Sequence, residues 1–249
     1  MESAIAQAIR WIEQHRPTRI AVLTGAGISA ESGIPTFRDA GGLWENYRAE
    51  ELATPGAFAR DPILVWRWYE SRRSAIRAAE PNEAHRALAR LEDALEGRGE
   101  LTLVTQNVDG LHGRAGSRHV IELHGNIFRV RCTGEGSVEE RAEPFEAVPP
   151  RCACGSVLRP DVVWFGEMLP PGAIEEAAEA VGRADLLLVV GTSGVVHPAA
   201  GLVSMLRHGV AVEVNPQQTP LSRLVRFSVQ GPAASAVPRL TEAIERGLR

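Results

Sequence analysis

Arg19-Ile-Ala-Val-Leu-Thr24 runs directly into Gly25-Ala-Gly27-Ile28-Ser29. A short, continuous apolar run that ends in a glycine turn suits a strand buried on both faces, and such strands belong to parallel sheets. The turn also has chemistry to offer. Small residues let the backbone approach a pyrophosphate and aim amide hydrogens at it. Ala30 stands where the third glycine of the dinucleotide fingerprint falls, so only the looser form is met, and ordinary strand-to-helix turns share it. Gly33-Ile-Pro-Thr-Phe-Arg38 then continues as a loop. It suits either a cover that brings Phe37 and Arg38 to the reactive end of a cofactor, or a surface loop whose Phe37 fills an apolar gap.

Outward from this turn the same alternation recurs. Ile5, Ala8, Ile9 and Ile12 fall at helical spacing, and Pro62 opens a helix carrying Ile63, Val65, Trp66, Trp68, Tyr69 and Ile76. Residues 31–48 read as a long loop. Pro81-Asn82 restarts a helix with Ala84, Leu88, Leu91 and Leu95 on one face. Strands are expected at 101–105, 119–123, 186–190, 210–214 and 225–229, and helices at 174–181, 199–206 and 234–248. Segment 125–160 differs, with cysteines, prolines and acids but no strong periodicity. The pattern predicts an α/β protein: a Rossmann-like, doubly wound parallel sheet with a smaller inserted domain, part helical and part possible zinc module. The expected division of the single catalytic domain 1–249 is a large part of 1–35, 82–125 and 161–249, and a small domain of 36–81 and 126–160.

The 249 residues are 44% hydrophobic and 23% charged, an ordinary globular composition that argues against disorder. A net charge of −4 gives no global attraction to nucleic acid. No apolar run reaches the roughly 18 residues of a membrane span, and the first 14 residues lack a signal-peptide core, so the expected location is the cytoplasm. All 27 Lys-plus-Arg residues are arginine, which fits genomic or thermal bias in residue use. Three clustered cysteines, Cys132, Cys152 and Cys154, do not make a disulfide framework and direct attention to metal.

Polar groups gather where the predicted strands end. Thr105-Gln-Asn-Val-Asp109, Ile121-Glu-Leu-His124-Gly125, Gly191-Thr-Ser193 and Asn215-Pro-Gln217 all lie there, and open α/β sheets bind ligands outside those ends. A neutral imidazole at His124 is able to accept a hydroxyl proton near neutral pH. Helix capping and turn chemistry use the same residue types and account for part of the pattern.

Taken in order, Gly25 to Arg38, Thr105 to His112, Glu122-Leu-His-Gly125, Pro160-Asp-Val-Val-Trp-Phe-Gly-Glu167, Gly191-Thr-Ser193 and Asn215 resemble the sirtuin family over nearly the whole chain. The resemblance implies an NAD site drawn from Gly25, Ala26, Gly27, Thr36, Phe37, Arg38, Gln106, Gly191, Thr192, Ser193, Asn215, Pro216, Gln217 and Ala233. Ile28, Asn107 and Asp109 would form the nicotinamide pocket, with His124 and Asn107 as the catalytic pair. Val162 to Phe165 resembles an edge that pairs with an extended substrate peptide, and Val163, Phe165, Gly166 and Glu167 are the expected contacts. The implied partners are proteins bearing acylated lysine, with no nucleic acid and no membrane. The implied reaction has the acyl oxygen attack the nicotinamide ribose. His124 then deprotonates a ribose hydroxyl, and free lysine and O-acyl-ADP-ribose result, in a pocket that excludes water. ADP-ribosyl transfer, or a non-catalytic NAD or ADP-ribose sensor, are the alternatives. A hydride-transferring dehydrogenase is disfavoured by the loop after Gly33, and Glu45 and Glu50 do not end a strand.

Two finer features stand beside that resemblance. The family carries two cysteine pairs that hold structural zinc. Here Cys152-Ala-Cys154 is one pair, and Cys132-Thr-Gly-Glu135 has glutamate in place of the second cysteine of the other. Three thiolates and Glu135 are acceptable zinc ligands, and loss of the metal is the other reading. Tyr69 and Arg72 lie three apart on one helix face, where a phenol and a guanidinium are able to hold a carboxylate. Spacing alone favours Tyr69 in the aromatic core with Trp66 and Arg72 as one solvated arginine among Arg67, Arg73 and Arg77. Sirtuins that remove succinyl, malonyl or glutaryl groups resemble this chain in that pair, which implies desuccinylation alongside deacetylation.

Overall fold

The computed structural model describes residues 3–36, 43–44 and 47–248. Helix α1 (Ala4–His15) leads into strand β1 (Arg19–Thr24). Short strands β2 (Leu43–Trp44) and β3 (Tyr47–Arg48) then precede helices α2 (Ala49–Leu52), α3 (Pro55–Arg60), α4 (Pro62–Ala78) and α5 (Glu83–Leu95). Strand β4 (Glu100–Thr105), helix α6 (Leu111–Ala115) and strands β5 (Val120–Glu122), β6 (Gly125–Cys132), β7 (Val138–Glu140) and β8 (Leu158–Val162) follow. The chain closes with α7 (Ala173–Arg183), β9 (Leu186–Val190), β10 (Val210–Asn215), β11 (Phe227–Gln230) and α8 (Ala233–Gly247).

Six strands form one parallel sheet in the order β11-β10-β9-β1-β4-β5. Counted along the chain, this is the 3-2-1-4-5-6 order of the doubly wound nucleotide-binding fold, as the alternating pattern predicts. The order reverses between β1 and β9, and the crevice outside the carboxyl ends at such a point is where these sheets take ligands. Period-two packing explains why β1 is apolar throughout. Ile20 and Val22 join a core with Ile12, Leu88, Leu91 and Leu240 on one face. Ala21 and Leu23 join Ala177, Val181, Leu202 and Leu221 on the other.

A separate core joins α4 to a three-stranded antiparallel sheet, β7-β6-β8, through Val65, Trp66, Ile76, Ile127, Val130 and Leu158. Several details depart from the sequence reading. Segment 199–206 is a 3-10 helix over Ala199–Met205. Within 31–48, Ala30–Ser32 is a 3-10 turn, and Leu43–Trp44 pairs with Tyr47–Arg48. Helices α2 and α3 stand in a stretch without apolar periodicity. α3 is started by Thr54, whose hydroxyl accepts the Ala57 N–H at 3.1 Å, with proline next. Asp61 does the same for α4, accepting the Leu64 N–H at 2.9 Å.

Arg73 is not solvated. Its side chain is fully buried, pairs with Glu70 at 2.6 Å and donates to the carbonyls of Ile127, Arg141 and Glu143. It thereby ties α4 to the antiparallel sheet. Among the described residues no helix is long and apolar enough to cross a membrane.

Candidate active site

The first glycine turn folds against the turn after β9. Gly27 N–H donates to the Gly191 carbonyl at 2.8 Å. A Cβ on Gly25 would lie 2.9 Å from the Gly191 oxygen, one on Gly27 would lie 2.7 Å from the Gly191 Cα, and Gly191 itself has φ +62°. Only glycine admits this approach, and it leaves the backbone bare at the switch point. Such a cradle fits a bound dinucleotide phosphate.

The polar residues at the strand ends converge on that turn. Gln106 donates from Nε2 to the Thr192 hydroxyl at 3.0 Å, and Asn215 donates to the Thr192 carbonyl at 2.9 Å. Asn215 also accepts the Gln217 N–H, and Ser193 accepts the Val195 N–H. Asn107, buried, donates from Nδ2 to the Gly25 carbonyl at 3.2 Å and to the Ser29 hydroxyl at 3.3 Å. Ala26 and Ile28 lie in the 3-10 turn, with Ile28 in the core. Ala233 opens α8 and is buried against the same sheet, and Pro216 is exposed. Thr36 is half-buried, whereas Phe37 and Arg38 lie outside the described residues.

Sequence reasoning did not single out the network behind this front. The Ser29 hydroxyl donates to Asp109 Oδ2 at 2.7 Å, and Leu111 N–H donates to Asp109 Oδ1 at 2.9 Å. His85 accepts the Asn82 N–H at Nδ1, which leaves its Nε2–H for Ser29 at 3.4 Å. The Thr24 hydroxyl donates to Thr105 at 2.8 Å and therefore accepts the Nε2–H of His112 at 3.1 Å. Burial is the leading effect on all three ionisable groups. It raises the pKa of Asp109, holds His85 down at about 4 and pushes His112 well below the usual imidazole range. His112 ends the Thr105-to-His112 motif, but nothing in the spacing joins it to Thr24.

His124 follows β5 and gives its Nδ1 hydrogen to the Gln106 carbonyl at 2.9 Å. A carbonyl only accepts, so the tautomer is fixed and Nε2 keeps its lone pair. Burial lowers the His124 pKa, partly offset by that hydrogen bond. The ring is neutral at physiological pH and ready to take a proton.

The segment that follows β8 packs beside it. Val163 N–H donates to the His124 carbonyl and Phe165 N–H to that of Ala53, both at 2.9 Å. Phe165 is exposed, and Gly166 turns the chain at φ +87°. Glu167 is engaged within the protein, accepting two hydrogen bonds from Arg159 at 2.6 and 2.8 Å and the Trp164 N–H at 2.8 Å.

On α4, Tyr69 is buried and accepts a hydrogen bond from Trp164 Nε1 at 2.8 Å. Half-buried Arg72 lies over the Trp68 ring, 5.2 Å from its centre. Burial lowers the Arg72 pKa, with Tyr69 and Asp109 opposing it. The same Arg72 charge is among the groups that hold Asp109 down against its burial. Tyr69 and Arg72 thus belong to one electrostatic neighbourhood with the strand-end site.

Cys132, Glu135, Cys152 and Cys154 place one donor atom each within 4.8 Å of one another. The sulfurs of Cys132 and Cys154 are 3.5 Å apart, and Cys152 Sγ is 3.8 Å from Glu135 Oε2. Tetrahedral zinc with Zn–S near 2.3 Å needs donors about 3.8 Å apart, so this set fits the metal.

The Sir2 family model matches residues 25–198, from the glycine turn to the loop after β9. The chain belongs to the Sir2 family. It is 54% identical over 231 residues to NAD-dependent protein deacylase 2 of Pyrobaculum aerophilum, covering 92% of both chains. It is 54% identical over 226 residues to the NAD-dependent protein deacylase of Thermus thermophilus, covering 89% of both. Among solved structures, a Sir2 homolog–NAD complex superposes with a TM-score of 0.89 at 46% identity, over 98% of this chain and 95% of that one. A Sir2 protein with a deacetylated p53 peptide and 3′-O-acetyl ADP-ribose gives 0.84 at 33% identity, over 96% and 97%.

Proposed function

We propose that this Sir2-family protein removes acyl groups from lysine side chains of proteins in an NAD-dependent reaction, and that succinyl and malonyl groups are substrates beside acetyl. The observation that carries the first part is the convergence, at one switch point, of a glycine cradle, a buried Asn107–Asp109 pair and a neutral His124 with a free Nε2. NAD bound here would supply an electrophilic anomeric carbon with nicotinamide as its leaving group.

The chain's residues do the rest. Gly25, Ala26, Gly27, Gly191, Thr192, Ser193, Asn215, Pro216 and Gln217 line the dinucleotide, with Thr36 and Ala233 completing its surroundings; the family resemblance assigns Phe37 and Arg38 to the same site. Asn107 and Asp109 hold the nicotinamide end, and Ser29 fixes Asp109 through its hydroxyl. His124 Nε2 takes the ribose hydroxyl proton, the step that needs a base. Val163 to Gly166 flank the path of an extended acyl-lysine peptide, and Glu167 braces that segment through Arg159 and the Trp164 N–H. The division into a nucleotide-binding part (1–35, 82–125, 161–249) and a smaller part (36–81, 126–160) sets this reaction at their junction. Cys132, Glu135, Cys152 and Cys154 would hold zinc, whose chemistry there is structural.

The acyl preference rests on Tyr69 and Arg72. Arg72, next to Tyr69 and electrostatically coupled to Asp109, supplies the planar fork that suits a carboxylate. Initial rates on one peptide carrying succinyl- or acetyl-lysine test this. Arg72→Met should cut kcat/KM on the succinyl peptide by about 100-fold, the cost of an unpaired carboxylate, and far less on the acetyl peptide. Equal losses, or no desuccinylation by the unmodified enzyme, would refute the preference.

A further inference from the structure

Tyr69 carries a single hydrogen and accepts one from Trp164, and that pairing is asymmetric. An indole nitrogen has no lone pair to offer, so the 2.8 Å contact is Trp164 Nε1–H donating to the phenol oxygen. The phenol's own hydrogen cannot point back along that line. It is turned away from the indole and kept for another acceptor. The phenol stays protonated across the physiological range, since burial pushes its pKa up to about 12 against the pull of Arg72.

Trp164 is itself held from several directions. The Arg159 guanidinium lies 3.5 Å from the centre of its ring, and the Phe58 ring packs 5.2 Å away. Arg159 is fixed in turn by its two hydrogen bonds to Glu167 and one to the Val162 carbonyl. Glu167 also accepts the Trp164 backbone N–H. The residue is almost wholly buried, with 2% of its surface exposed. So much support fixes where the indole hydrogen points.

We infer that Trp164 is a specificity-determining positioning residue, whose indole N–H orients the Tyr69 hydroxyl so that its hydrogen is presented to the distal carboxylate of a dicarboxylic acyl group. This rests on the reading that Tyr69 and Arg72 receive that carboxylate. An acetyl group has no such acceptor, so the effect falls on selectivity. Donation into the phenol oxygen also strengthens the hydrogen bond the phenol makes.

The test measures kcat/KM at saturating NAD on succinyl and acetyl forms of one peptide, with thermal unfolding of each variant. Trp164→Phe keeps an aromatic ring and removes the N–H. It should lower the succinyl-to-acetyl ratio about tenfold, chiefly through the KM of the succinyl peptide. In a Tyr69→Phe background, where the hydroxyl is already gone, adding Trp164→Phe should lower the ratio no further. Should Trp164→Phe not fold, benzothienylalanine at position 164, isosteric with indole but without the N–H, should give the same drop. An unchanged ratio, or the same drop with and without the Tyr69 hydroxyl, would overturn the inference while an unmodified enzyme that desuccinylates leaves the Tyr69–Arg72 reading standing. An unmodified enzyme inactive on the succinyl peptide overturns both.

Discussion

His124 directs one ring nitrogen at the Gln106 carbonyl and leaves the other for substrate. His124→Ala should therefore retain NAD affinity and lose deacylation by at least about 100-fold, the scale of a general base. Near-normal turnover would remove this imidazole from the reaction. Its pKa is lowered by burial, so the acid limb of the rate should lie below the ordinary imidazole value of about 6.5. A limb above that value would contradict the assignment. The positions of His124, Asn107 and Asp109 were readable because each closely follows a strand, and strands are readable from apolar runs, whereas their roles rest on the family resemblance. Ser29 with His85, and Thr24 with His112, were not readable. Their contacts join residues 56 and 88 positions apart, and only the folded sheet and α5 bring them together. Arg72 and Arg73 show the same limit. Neighbours on a helix point about 100° apart, and spacing does not tell which one the antiparallel sheet buries.

At the scale of elements, the cysteine-bearing strand turns make a separable prediction. Purified protein should contain about one zinc per chain, held by three thiolates and a carboxylate. Cobalt substitution should show thiolate charge-transfer absorption, and Glu135→Ala should weaken metal binding without abolishing it. Metal well below one per chain would refute the site. The parallel strands were readable because burial on both faces makes them apolar runs, and β1 and β9 kept the predicted bounds. Strand β6 was missed. A register shift between Gly125 and Val130 breaks its alternation, so the period-two signal disappears. Helices α2 and α3 are too short to show a repeat, and only Thr54-Pro55 marked the start of α3.

The whole molecule encloses two neutral imidazoles, His85 and His112, with ring centres 4.8 Å apart. Their pKa values are depressed in the folded state. The unfolded chain binds more protons as pH falls through about 6.5, so stability is complete above that value and declines below it. With His85 at about 4, its share of the loss between pH 7 and pH 5 is on the order of 2 kcal/mol. Urea midpoints at the two pH values should differ accordingly, and His85→Gln should narrow the difference. A midpoint that does not fall at pH 5 would contradict the buried neutral pair. The doubly wound class followed from alternation, since the order of apolar strands and helices admits few sheets, whereas the packing of α4 on the antiparallel sheet depends on side chains such as Arg73 that no pattern marks. NAD-dependent deacylation is tested by mass spectrometry of an acyl-lysine peptide panel incubated with and without NAD. Acetyl and succinyl peptides should lose their acyl groups only when NAD is present, with nicotinamide and O-acyl-ADP-ribose formed in equal amounts. Nicotinamide release with the peptides still acylated, or acyl loss indifferent to NAD, would contradict it.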